Sequence, residues 1–251
     1  MLIDFHAHLT DFNDSETQNT LKRAHDAGVE RVVNTGTSVD SSKRAVSQSS
    51  ENKGMYAAVG ISPFDTVGAE PGFREEISGL TTSEDVIGIG ETGLDYSKPG
   101  SPAPEVQEQV FESMLETAAD TSLPLIVHSR GAEERVLEMC RSYSVERCVF
   151  HCYTGELKLL SRIFDSGYFV SYSGIVTFNK ADFDSHIRYS PDDLTLIETD
   201  TPYLAPVPER GKPNQPAFLI NTARYVAGVR GIGIKGLEMI QERNFKELFG
   251  V

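Results

Sequence analysis

Short apolar runs alternate along this chain with longer amphipathic stretches, the pattern of strands and helices in turn. The runs fall at Leu2–His6, Arg31–Asn34, Tyr56–Ile61, Val86–Glu91, Leu123–His128, Cys148–His151, Tyr168–Tyr172 and Leu194–Asp200. Helix-like segments lie between them, among them Thr17–Ala27, Val106–Ala119, Ala132–Arg141, Leu157–Phe164 and Pro216–Val229. Ser15 or Thr17 reads as the capped start of the first helix and Gly28 as its stop. No low-complexity tract, long linker or tandem repeat interrupts the alternation. Strands joined by crossovers of this length pair in parallel, and eight of them favour closure over an open sheet. The expected fold is α/β: a single (β/α)8 TIM-type barrel with parallel strands, residues 1–251 forming one domain.

In such barrels the C-terminal ends of the strands face the active site. The residues that end the apolar runs are therefore the place to look for chemistry. His6 and His8 close the first run, Glu91 the fourth, His128 the fifth, His151 the sixth and Asp200 the eighth. Only His25 and His186 of the six histidines fall elsewhere. Residues i and i+2 of a strand share a face, so His6 and His8 can approach one ion together, with Asp4 two residues earlier as a partner for a ligand imidazole. An isolated His-x-His is ordinary strand decoration; joined to four further ligand-type side chains, it reads as half of a metal site. Glu91 sits between Gly90 and Gly93, which permit close backbone approach, and a carboxylate at a barrel rim needs a cation. Glu198 shares the face of Asp200 and reads as an inward structural acid.

Composition narrows the function classes. The formal net charge of −14 shows no basic stripe of the kind that holds long nucleic acid, so a polyanion would be gripped locally by metal and a few cations. Hydrophobic residues make up 39% of the chain, enough for a core without staples. The segment Met1 to His6 does not read as a secretory signal, and no segment approaches the roughly 20 apolar residues of a membrane span. The three cysteines, Cys140, Cys148 and Cys152, form no CxxC pair and fit a reducing compartment. A cytoplasmic location and no membrane partner are expected.

Several segments together resemble the TatD-like metal-dependent deoxyribonuclease family, within the amidohydrolase-type barrels. They are Asp4 to Leu9, Gly90 to Tyr96, Gln107 with Phe111, Pro124 to Arg130, His151 to Gly155, Glu198 to Leu204, and Asn244 with Leu248 and Phe249. The resemblance covers nearly the whole chain in order. It implies one or two divalent ions (Mg, Mn or Zn), with His6, His8 and Asp200 on the first, Glu91 bridging, and His128 and His151 on the second. The implied activity is exonuclease-type phosphodiester hydrolysis at DNA ends by metal-activated water, with Asp200 and Glu91 as the catalytic carboxylates and Asp200 also accepting a proton. Some relatives act instead as D-aminoacyl-tRNA deacylases.

Two positions depart from the family pattern. Ser62 stands where the family usually has histidine before Pro63, and Gln215 where it often has glutamate. Neither removes an expected metal ligand. Arg130, Arg210 and Lys212 are candidates for contacting a phosphate, each with solvated surface charge as the competing reading. Tyr153 and Tyr203 are candidates for stacking a base. Beside the nuclease stand two other readings: an ester or amide hydrolase on the same site, and a non-catalytic interaction protein retaining a vestigial metal site.

Overall fold

The structure is a computed structural model and describes residues 1–178 and 180–251. Its eight strands are β1 (Leu2–Ala7), β2 (Val29–Thr35), β3 (Met55–Val59), β4 (Val86–Asp95), β5 (Leu125–Arg130), β6 (Cys148–Phe150), β7 (Phe169–Tyr172) and β8 (Thr195–Ile197). They pair in chain order, every pair parallel. Past the end of β8, Ala7 pairs with Thr201. There the Asp200 N–H donates to the His6 carbonyl (3.0 Å) and the His8 N–H to that of Thr201 (2.8 Å). The fold is the expected TIM-type barrel. Closure by these bonds carries Asp200 to the two histidines, which lie nearly two hundred residues earlier.

Helices clothe the barrel: α1 (Asp14–Asp26), α2 (Val39–Glu51), α3 (Phe73–Leu80), α4 (Pro104–Thr121), α5 (Glu133–Ser142), α6 (Leu157–Asp165), α7 (Lys180–Tyr189), α8 (Leu219–Arg230) and α9 (Ile234–Phe249). The start of α1 differs from the sequence expectation. Asn13, not Ser15 or Thr17, caps it, because its side chain accepts from the Glu16 N–H while Glu16 accepts from the Asn13 N–H, a reciprocal box.

Two apolar layers result. The outer one lies between strands and helices. The inner one takes Ile3 and Phe5 from β1 and one residue from each of the other strands, such as Val33, Ile126 and Leu196. Phe245, Leu248 and Phe249 of α9 join that inner layer and close the floor of the barrel. Asn244 holds this helix in place by donating to the carbonyls of Asp192 (2.7 Å) and Thr195 (2.8 Å). The apolar floor leaves polar groups only one end at which to gather. Among the described residues no helix is long and apolar enough to cross a membrane, and all three cysteines are free and buried.

Candidate metal centre

The strands do not simply stop at their polar residues. The fourth continues past Glu91 to Asp95, where the sequence pattern had ended it at Glu91. A register irregularity between Ile89 and Thr92 holds Glu91, and such irregularities re-aim side chains. Gly90 and Gly93 make this possible. Both have positive φ (+151° and +127°), and a Cβ on either would lie 2.5 Å from the Ile126 carbonyl oxygen or 2.1 Å from that of His128. A second irregularity between Asp4 and Ala7 breaks the alternation of β1. Asp4 therefore does not meet an imidazole, although strict period-2 geometry predicts that it would. Its carboxyl takes the Thr199 N–H at 2.8 Å and lies 2.6 Å from the Thr199 hydroxyl, tying β1 to the turn that carries Asp200. Burial pushes this carboxyl up to about 8.

His6, His8, Glu91, His128, His151 and Asp200 come together at the mouth. Glu91 is central. Its Oε1 lies 2.9 Å from His128 Nδ1 and 3.3 Å from His151 Nε2, and its Oε2 lies 3.3 Å from His8 Nε2 and 3.7 Å from His6 Nε2. Asp200 Oδ1 stands 3.5 Å from His8 Nε2 and 3.9 Å from His6 Nε2. Asp200 holds a left-handed φ of +60°, a conformation Asp tolerates better than most residues and one that clusters at functional sites.

The second nitrogen of three imidazoles decides what the first one can do. His8 Nδ1 donates to the Thr35 carbonyl (3.0 Å), His128 Nε2 faces Asp95 Oδ2 (3.0 Å), and His151 Nδ1 faces Glu198 Oε1 (3.3 Å). A carbonyl or carboxylate only accepts, so each of those nitrogens carries the proton. In the neutral ring the other nitrogen then presents a lone pair toward Glu91, and for His8 toward Asp200 as well. Lone pairs converging on carboxylates repel unless a positive charge stands between them. Histidines fixed by outer acceptors in this way are the usual arrangement around a metal ion. The donor set of imidazoles and carboxylates fits Zn²⁺ or Mn²⁺, and its carboxylate share fits Mg²⁺.

Protons compete with a metal ion for the same nitrogens. Burial opposes protonation of His8, yet Asp200 and Glu91 raise it well above the ordinary imidazole range. The same contest lifts His151 to about 10 through Glu91 and Glu198, and raises His128 through Asp95 and Glu91. Burial alone would raise Glu91, but His151, His128 and His6 hold it well below the usual carboxylate range. Of the four imidazoles, His6 alone is lowered, by burial and by His151, whose ring stacks on it at 4.1 Å. The cavity selects positive charge.

Asp95 carries a role that the sequence did not disclose. Its backbone is clamped by Gln107, which accepts from the Asp95 N–H (2.8 Å) and donates to its carbonyl (3.1 Å). Its carboxylate, held down by His128 and Ser97 against the effect of burial, fixes the His128 ring. Asp95→Ala is expected to weaken metal affinity roughly 10- to 100-fold with the fold intact; calorimetric titration of metal into the stripped variant measures it, and unchanged affinity contradicts the role. Glu198, read as a structural acid, holds His151 and accepts from the Ser171 hydroxyl (2.6 Å).

The cluster opens into a cavity of about 890 Å³, lined also by Ser62, Phe64, Lys98, Arg130 and Tyr203. Ser62 donates to Asp65 (2.7 Å), and Gln215 accepts from Arg23 (2.6 Å). Arg130 reaches the cavity; Arg210 and Lys212 do not line it. Arg210 lies over the Phe178 ring (3.9 Å) and Lys212 pairs with Glu209 (2.6 Å). Tyr153 is buried with its hydroxyl donating to the Glu156 carbonyl, whereas Tyr203 is exposed at the mouth. A second cleft of about 630 Å³, between Tyr96, Glu133, Lys158 and Arg162, contains none of the histidines.

Residues 3–250 match the family described as TatD related DNase. The chain belongs to that family. A metal-dependent hydrolase of Bacillus subtilis, YabD, is 32% identical to this TatD protein over 255 residues, covering 100% of both chains. A Klebsiella pneumoniae protein named 3'-5' ssDNA/RNA exonuclease TatD is 31% identical over 237 residues, covering 91% of this chain and 90% of its own. The crystal structure of YJJV, a TatD homologue of Escherichia coli, superposes with a TM-score of 0.94 at 24% identity, covering 100% of this chain and 98% of that one. As a TatD member, the protein is placed among metal-dependent hydrolases.

Proposed function

We propose that this protein is a metal-dependent exonuclease that removes nucleotides from the ends of single-stranded DNA. One observation carries the reading: His8, His128 and His151 are each pinned by an outer acceptor, so that their free nitrogens converge on Glu91 in an open cavity. The naming of the Klebsiella pneumoniae relative as an exonuclease supports the choice of phosphodiester over other esters.

His6, His8 and Asp200 would hold one divalent ion, His128 and His151 a second, with Glu91 facing both. Ions bound there would polarise a phosphoryl oxygen and lower the pKa of a water. Asp200, whose Oδ1 faces His8 and His6, would take the proton from the attacking water. Arg130 and Lys98, which line the same cavity, meet the negative charge of the phosphate.

The test is degradation of end-labelled single-stranded and duplex DNA by chelator-stripped protein reloaded in turn with Mg²⁺, Mn²⁺ and Zn²⁺. Mononucleotide release that requires metal and favours the single strand is expected. DNA left intact with all three ions overturns the nuclease reading. Release of the amino acid from a D-aminoacyl-tRNA in the same preparation would assign the site to ester hydrolysis instead.

A further inference from the structure

Large apolar side chains exposed at a polar cavity call for an occupant. Phe64 is 39% exposed and Tyr203 61%, and both line the cavity of the metal centre. They flank opposite halves of it. The Phe64 ring lies 5.5 Å from that of His128, and the Tyr203 ring 6.3 Å from that of His8. Phe64 follows β3 and Tyr203 follows β8, so the two rings rise from different walls with the Glu91 carboxylate between them. The cavity is poor in cations. Lys98 and Arg130 are the only lysine or arginine among its described lining residues, against Asp11, Asp65, Glu91, Asp95 and Asp200. Beyond the metal centre itself, charge attraction therefore gives a polyanion little grip, and the chain as a whole carries −14.

We propose that Phe64 and Tyr203 form a split stacking clamp, each ring receiving one of the two nucleobases that flank the phosphate held at the metal centre. Bases stack on aromatic side chains with little regard to sequence, which supplies affinity where cations are few. A duplex keeps its bases stacked on one another and cannot offer both faces, so the clamp selects a single-stranded end. Lys98 adds a second element. Its ammonium lies 4.6 Å from the centre of the Phe64 ring, a cation–π contact that occupies a face of the ring. An arriving base displaces it, and the freed ammonium is left beside the sugar–phosphate backbone. The inference deepens the nuclease reading and rests on it for the identity of the ligand.

The experiment measures binding, so that its failure is separable from a failure of hydrolysis. Mn²⁺-loaded protein is titrated into a single-stranded phosphorothioate trinucleotide carrying 2-aminopurine at the first or second position. Quenching of fluorescence at both positions is expected. Phe64→Ala should relieve quenching at one position and Tyr203→Ala at the other, each weakening binding roughly 5- to 150-fold. Phe64→Trp should restore it. The same variants should bind an abasic analogue of the trinucleotide as the unaltered protein does. Absence of quenching, or equal loss on base-bearing and abasic ligands, overturns the clamp. Intact DNA in the metal panel above overturns the nuclease reading instead, whatever the quenching.

Discussion

Glu91→Ala is expected to abolish hydrolysis while the barrel stays folded. One carboxylate faces His128 and His151 through Oε1 and His8 and His6 through Oε2, so its removal uncouples both halves of the centre at once. Ions held there would supply several kcal/mol of transition-state stabilisation, which corresponds to a fall in kcat/KM of roughly a thousandfold or more when they are lost. The loss should come with reduced metal content, because the imidazole lone pairs then lack the charge that offsets crowding cations together. Elemental analysis, circular dichroism and steady-state rates on one preparation check the three parts. A variant that keeps its metal and a tenth of its activity would remove Glu91 from the centre of the scheme. Glu91→Gln preserves the shape and loses the charge, and should behave like the alanine variant.

Phe245→Ala is expected to cost about 3–5 kcal/mol of stability, the usual range for emptying a fully buried phenylalanine site. The ring packs 4.8 Å from Phe249 and 6.1 Å from Tyr56, with the Arg31 guanidinium 5.1 Å above it. Several side chains would have to collapse together to refill that space, and the surrounding strands are hydrogen-bonded on both sides. Met239 offers the control on the same helix, since it is 75% exposed and its replacement by alanine should change stability by under about 0.5 kcal/mol. Urea denaturation of both variants measures the difference. A cost below about 1 kcal/mol at Phe245 would mean that α9 does not secure the floor.

The fold was legible because strand length and crossover length are local properties of the pattern. Each of the eight apolar runs corresponds to a strand, from Leu2–His6 to Leu194–Asp200. The candidate ligands were legible for a related reason: few side chains bind divalent ions, and here they recur at the ends of the runs. What holds them was not legible. Asp95 reaches His128 only because β4 runs four residues beyond Glu91, and that extension depends on two glycines pressed against β5. Asp4 sits two residues from His6, yet an irregular register sends it to Thr199. Asn214 gives no sign in the sequence of its part, which is to donate to the carbonyls of Thr199 and Tyr203 and brace the turn around Asp200. Of the two tyrosines that the sequence offered for stacking a base, Tyr153 is folded under its own loop and Tyr203 is exposed, while Phe64 at the rim gave no sign in the sequence. These are properties of pairing and burial, set by parts of the chain far apart.

The stopper formed by Phe245, Leu248 and Phe249 gives the barrel one opening. A polymer end that enters cannot be threaded through and out of the other side. Whatever is severed inside must leave by the route it came, past the remainder of the strand. For the exonuclease proposed above, such a vessel would work by repeated bites with retreat between them, and the freed nucleotide would compete for the doorway with the next one to arrive.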